Sequence, residues 1–372
     1  MAIRGTAKPA RAMGLSVSQD RSRSMDALAE SLTASPELFP HTMDVQEDAI
    51  TLIHLDRAGF KSASFLDERI LTPQTLRRTV AWSEVRQAVA ETDLVERCDF
   101  IFHIGHVGST LLSRLLGEQP TTLALREPAI LRTMAQIRAE PEFEHQTWGN
   151  DGFDARLSAL LKLWSRTFAL ENRTVLKTTS FVSEMAAELM ARPHCPRAIL
   201  MFVSPENYLA TILGGANAPQ ETKALAPGRL KRLQCRLGRD IESPSPNSIG
   251  EAVAMSWACE MTALVDARQV GGERALLLNF DTFLEQSRST LTQCFHHLGI
   301  AATETDAQAI LDGPHMRQYS KAPEHAYDAN LRRAVLDQAR AISNIEISRG
   351  LAWLDRVVRD HTAITEAMTL TM

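Results

Sequence analysis

The sequence predicts an α/β protein: a doubly wound parallel sheet flanked by helices. Three observations carry that expectation. A continuous apolar run at 100–104 and short strand-like stretches with apolar centres at 121–125, 173–179, 197–203 and 275–280 recur along the chain. Helical apolar periodicity separates them, as in Leu111, Leu112, Leu115 and Leu116 or Leu157, Leu160, Leu161 and Trp164. Strand-length runs without alternation are strands buried on both faces, and intervening helices supply the cover. The third observation is the junction of the first run and its helix, Gly105-His106-Val107-Gly108-Ser109-Thr110. A strand, a glycine turn and a helix N-terminus in that order bring unpaired backbone N–H groups and a positive dipole end to one point, which suits phosphate or sulfate.

Composition narrows the function classes. The 372 residues are 44% hydrophobic, enough for one large α/β domain with appendages. A formal net charge of −5 leaves no broad excess of Lys and Arg for a nucleic-acid backbone, so any basic site is local. The five cysteines, Cys98, Cys195, Cys235, Cys259 and Cys294, are widely spaced and odd in number, and read as buried thiols of a reducing cytoplasm. No apolar stretch approaches a membrane span, and the N-terminus lacks the apolar core of a signal peptide. No histidine-carboxylate cluster has metal-ligand spacing, so no metal is expected. G-x-S-x-G and G-x-x-x-x-G-K-[ST] are both absent, which disfavours a serine hydrolase and an ordinary P-loop ATPase or GTPase.

Residues 1–24 read as a disordered tail, and 25–97 as a helical segment: a helix over 25–32, another near 45–55 and a charged one over 73–91 with Trp82 and Val85 in the core. Ser62 to Arg69 reads as a solvated turn, with a role at the site as the lesser reading. The core then runs over 98–325, with C-terminal helices over 326–372, near 329–342 and 350–365.

The segment His106-Val107-Gly108-Ser109-Thr110-Leu111-Leu112-Ser113-Arg114-Leu115-Leu116 resembles the first phosphosulfate-binding loop of the sulfotransferase superfamily, P-[KR]-S-G-[ST]-T with a bacterial continuation L-L-S-R-L-L. The resemblance implies a P-loop-like sheet of sulfotransferase type, with 3′-phosphoadenosine 5′-phosphosulfate (PAPS) as co-substrate and a hydroxyl- or amine-bearing acceptor. His106 replaces the family's basic residue. His106, Val107, Gly108, Ser109, Thr110 and Leu111 would then bind the 5′-phosphosulfate.

The second run ends at Arg126-Glu127-Pro128, before a helix carrying Ile130, Leu131 and Met134. Strand ends of a parallel sheet share one crevice, so Glu127 is either a residue of that crevice or a helix-start acid favoured by the dipole. In the branch resembling protein-tyrosine sulfotransferases, the catalytic glutamate follows the loop's basic residue by the interval between His106 and Glu127; the resemblance makes Glu127 the general base. A helix over 155–170 comes next, and then a strand ending at Lys177, whose charge either reaches solvent or enters the crevice. The resemblance gives Lys177 and His106 the leaving phosphate.

Ser204 and Pro205 cap a helix after the strand at 197–203. Pro205, Asn207 and Thr211 resemble the family's second motif, for the 3′-phosphate, but Val203 stands where its arginine belongs. Thr211, with Arg317 or Lys321 from a later basic loop, is the implied replacement. Residues 214–248 read as an irregular excursion around a solvated basic helix, with a lid or acceptor element as the other reading. Val253, Trp257, Met261 and Leu264 mark a core helix, and a helix over 291–298 ends at Gly299. The expected activity is in-line sulfuryl transfer. A noncatalytic nucleotide-binding protein on a degenerate fold and an atypical P-loop phosphotransferase are the alternatives; acceptor and oligomeric state are not legible.

Overall fold

The structure is a computed structural model that describes residues 28–140, 148, 152–322 and 324–371. The tail expected over 1–24 lies outside these, as does the start of the helix expected from Met25. The described chain begins with a helix over 28–34, followed by an antiparallel sheet of β1 (Leu38–Asp44), β2 (Ala49–His54) and β3 (Arg77–Ala81), in that order across the sheet.

This sheet corrects the mostly helical expectation for the N-terminal segment, where a strand stands in place of the helix expected near 45–55. Apolar positions 50, 52 and 53 suit either period, and the turn decides between them. Asp44 Oδ1 accepts the N–H groups of Gln46 and Glu47 at 3.0 Å, while Asp48 takes a left-handed φ of 46°, which folds the chain into a hairpin. β3 completes the ladder, with Ile50 opposite Val80 and Leu52 opposite Arg78. The charged helix expected over 73–91 shortens to Trp82–Ala90, with Trp82 and Val85 buried as expected.

The second sheet is parallel, in the order β5-β6-β4-β7-β8, built from β4 (Cys98–His103), β5 (Thr122–Arg126), β6 (Arg173–Lys177), β7 (Ala198–Phe202) and β8 (Ala275–Asn279). Every residue of β4, β5 and β7 is buried, so both faces are covered, as the apolar runs require. From β4 the chain goes one way to β5 and β6, then crosses to β7 and β8 on the other side. The carboxyl end of β4 therefore sits beside the topological switch point, where open α/β sheets bind ligands.

The Ile249–Gly271 helix packs against β4, β7 and β8 and is buried along most of its length. The Ala329–Val357 helix packs across it, with a non-helical residue at Ser343, and a last helix covers Thr362–Thr369. The sequence suggested a break before Gly350, but that glycine is a crossing point. A Cβ on Gly350 would lie 2.6 Å from the Gly250 carbonyl oxygen, so the two backbones touch directly.

The 214–248 region is also more regular than the sequence suggests, and three of its arginines, Arg229, Arg232 and Arg236, are ion-paired rather than solvated, whereas Lys231 and Arg239 are exposed. A helix over Ala218–Leu237 lies on the Ile249–Gly271 helix. Arg229 and Arg232 pair with Glu260, and Arg232 and Arg236 with Glu184. Cys195 and Cys235 are exposed rather than buried, whereas Cys98, Cys259 and Cys294 are in the interior. Among the described residues no helix is long and apolar enough to cross a membrane.

Candidate active site

The loop after β4 has the strained geometry that the glycines anticipate. Gly105, His106 and Gly108 have φ values of 87°, 56° and 69°. Gly108 is the N-cap of the Ser109–Leu116 helix and offers no side-chain cap. The helical ladder starts with Leu112 N–H to the Gly108 carbonyl at 3.1 Å, so the N–H groups of Ser109, Thr110 and Leu111 precede it. Thr110 Oγ1 is buried without a hydrogen-bond partner. Orphan donors and an unpartnered hydroxyl at one helix start fit an anionic oxygen cluster such as a phosphosulfate.

Two residues that the sequence reading missed hold the loop. His103, buried at the end of β4, accepts the Gly105 N–H on Nδ1 at 3.0 Å, and its Nε2 lies 2.9 Å from the Thr178 carbonyl. This pairing assigns the proton to Nε2, and burial, with Lys177 nearby, pushes the imidazole well below its usual range. Phe280 packs directly on Gly108: a Cβ there would be 2.1 Å from its ring. Above Phe280 stands Arg332, its guanidinium carbon 5.1 Å from the ring centroid.

The cleft is lined by the stretch His106 to Leu111 together with His103, Lys177, Thr211, Lys321 and Arg332. Glu127 joins through Lys177, whose ammonium donates to Glu127 Oε1. The strand register sets this pair: Arg126 lies opposite Lys177, and Glu127 N–H donates to the Lys177 carbonyl at 2.7 Å while Glu127 turns to φ 53°. Lys177 is fully buried, and burial pulls its ammonium down to about 8 against the opposing pull of Glu127. His106 is exposed at the loop's rim. Even so, the cleft walls around it, then the charges of Lys321 and Arg229, push its imidazole to about 4, leaving it neutral at pH 7.

The second motif is placed differently from expectation. Val203 is core, and Thr211 spends its hydroxyl proton on the Asn207 carbonyl at 2.6 Å. Asn207 Nδ2 donates to Asp281 at 2.7 Å, and Arg332 Nη2 donates to the other Asp281 oxygen at 2.7 Å. Arg332 therefore brings a guanidinium to the cleft from the C-terminal helix. Of the two expected loop cations Lys321 lines the cleft, whereas Arg317 is exposed and outside its lining.

The Ser62–Arg69 segment is not the solvated turn expected from its charges. Phe65 is buried with its ring centroid 5.5 Å from the Lys177 ammonium, and Arg69 lies 3.6 Å over the same ring. Leu66 N–H donates to the Arg126 carbonyl at 2.6 Å, which fixes the segment beside Glu127. A cavity beside it is lined by Ser64, Phe65, Arg69 and Lys321. Lys321 thus borders both this cavity and the cleft over the loop.

No family model and no curated protein matches the chain. Among solved structures it is similar to the sulfotransferase domain from the curacin biosynthetic pathway, at 14% identity over 71% of this chain and 99% of that one, with a TM-score of 0.38. The sulfotransferase domain of the Synechococcus PCC 7002 olefin synthase matches at 16% identity over 71% and 97%, TM-score 0.38. A sulfotransferase from Alicyclobacillus acidocaldarius matches at 14% over 73% and 100%, TM-score 0.37. Likenesses this distant leave the site to be judged on its own geometry.

Proposed function

We propose that the protein is a sulfotransferase that moves a sulfuryl group from PAPS to an acceptor hydroxyl or amine. The observation that carries this reading is the convergence of three strand ends: the orphan donors after β4, Glu127 after β5 and Lys177 at the end of β6. In this reading the loop N–H groups and the Thr110 hydroxyl hold the phosphosulfate. Glu127 takes the acceptor proton as the acceptor oxygen or nitrogen bonds to sulfur. The bond from sulfur to the phosphate oxygen breaks, and the Lys177 ammonium and loop donors stabilise the charge left on that phosphate. His106, being neutral, contributes hydrogen bonding rather than charge. Lys321 and Arg332 take the 3′-phosphate in place of the arginine missing at Val203.

The test is incubation with PAPS, a chelator and a panel of phenols, alcohols and amines. Release of 3′,5′-ADP matched by sulfated product supports the reading. Metal-dependent release of ADP from ATP, with no product from PAPS, would assign the cleft to a phosphotransferase.

A further inference from the structure

A second cavity, of about 470 Å³, lies between β5, the end of the Ser109–Leu116 helix and the Arg57–Ser62 helix. Phe60, Leu123 and Ala124 give it an apolar wall. Its charges do not balance. Arg57, Lys61, Arg114 and Arg126 line it against only Glu118 and Glu171.

Both acids are committed elsewhere: Arg57 Nε donates to Glu171 at 2.9 Å, and Lys61 and His315 each approach Glu118 at 2.9 Å. Arg114 and Arg126 are 6% and 2% exposed, and among the described residues neither has a carboxylate within ion-pair distance. Arg126 donates from Nε to the Ala63 carbonyl at 2.6 Å and from Nη2 to the carbonyls of Phe60 and Lys61. Arg114 donates from Nε to the Ser320 carbonyl at 3.0 Å and from Nη2 to Ser62 and Ser64. The Nη1 group of each has no hydrogen bond among the described residues.

Carbonyl dipoles solvate a guanidinium in part but do not neutralise it, and buried charge ordinarily has a counter-charge. Burial, then the charge of Arg114, pushes Arg126 down to about 9, still protonated at pH 7. Thr122 Oγ1, on the same cavity, is buried without a partner. Two unmatched guanidinium groups and an orphan hydroxyl facing an apolar wall describe a site for something both anionic and apolar.

We propose that this cavity binds a small amphiphile with one anionic head, a carboxylate or a sulfate or phosphate monoester, held by Arg114, Arg126 and Thr122 with its apolar body on Phe60, Leu123 and Ala124. The assignment is independent of the reaction proposed for the cleft.

The experiment is calorimetric titration of the full chain with octanoate, octyl sulfate and the uncharged octyl glucoside, each below its micelle concentration. The anions bind at least tenfold tighter than the glucoside. Exposed Ala58 lines the cavity and is not one of the groups proposed to hold the anion, so Ala58→Trp fills the space and weakens the anions at least tenfold; the smaller Ala58→Phe does the same if the tryptophan perturbs folding. Ser109→Ala, in the cleft loop, leaves octanoate binding unchanged. No binding of either anion, equal binding of the glucoside, or full anion binding to a folded Ala58 variant would overturn the proposal.

Discussion

Lys177 donates its ammonium to Glu127 across the ends of two adjacent strands, and the same two residues are also joined through their backbones, Glu127 N–H to the Lys177 carbonyl at 2.7 Å. The backbone bond keeps the two residues side by side at the strand ends. The proposed base and the cation for the leaving group are pre-positioned by the β5–β6 register rather than by a loop.

Glu127→Gln keeps the shape and the backbone bond but removes the proton acceptor. The expected loss of turnover is about 100- to 10,000-fold, the usual range for a general base. Binding of 3′,5′-ADP, measured by titration, stays within a few-fold of wild type.

For the proposed reaction an alkaline limb set by Lys177 is expected. Its folded value, about 8, lies below its ordinary value of 10.5, so the folded free protein releases this proton first. Activity and nucleotide affinity therefore fall as pH rises through about 8. The sign for stability is opposite: between about 8 and 10.5 the unfolded chain holds more protons, and the Lys177 contribution to stability rises with pH. Neutral His106, at about 4, gives no limb near 6.5. A rate profile from pH 5 to 10 in wild type and His106→Asn checks both statements, the variant retaining the alkaline limb.

Gly108 is irreplaceable for two separate reasons: its φ of 69° and its contact with Phe280. Gly108→Ala should cost about 2 kcal/mol or more from the left-handed backbone and the ring displacement together. Chemical denaturation measures it. Gly238, at φ 66° but with open space around its missing Cβ, should lose less on the same substitution.

Arg332→Met tests the replacement for the arginine absent at Val203. Loss of a charge-assisted hydrogen bond weakens 3′,5′-ADP on the order of tenfold or more, while adenosine 5′-phosphosulfate, which lacks the 3′-phosphate, is little affected. Equal weakening of both would point to a structural role through Asp281.

The sheet core was legible because each strand carries its signal locally. β4, β5, β6 and β7 are short, with apolar centres, so Glu127 and Lys177 could be placed at strand ends from sequence alone. What failed depended on distant partners. The ladder that holds Ala49–His54 as a strand is completed by β3, farther along the chain, and the arginines of the Ala218–Leu237 helix are paired by Glu184 and Glu260. Arg332 reaches the cleft only because the C-terminal helix crosses the Ile249–Gly271 helix, which no local pattern announces. The hidden roles of His103 and Phe65 have the same cause: each looks like ordinary core until the loop or Lys177 is set beside it.

Thermal unfolding with excess 3′,5′-ADP, with ATP plus Mg²⁺, and with neither decides which nucleotide the cleft holds. A ligand at 100 times its dissociation constant stabilises the folded state by about 2.7 kcal/mol. The expected result is a raised midpoint with 3′,5′-ADP, abolished in Thr110→Val together with Lys177→Met. A shift with ATP and Mg²⁺ alone, or none with either nucleotide, would contradict it.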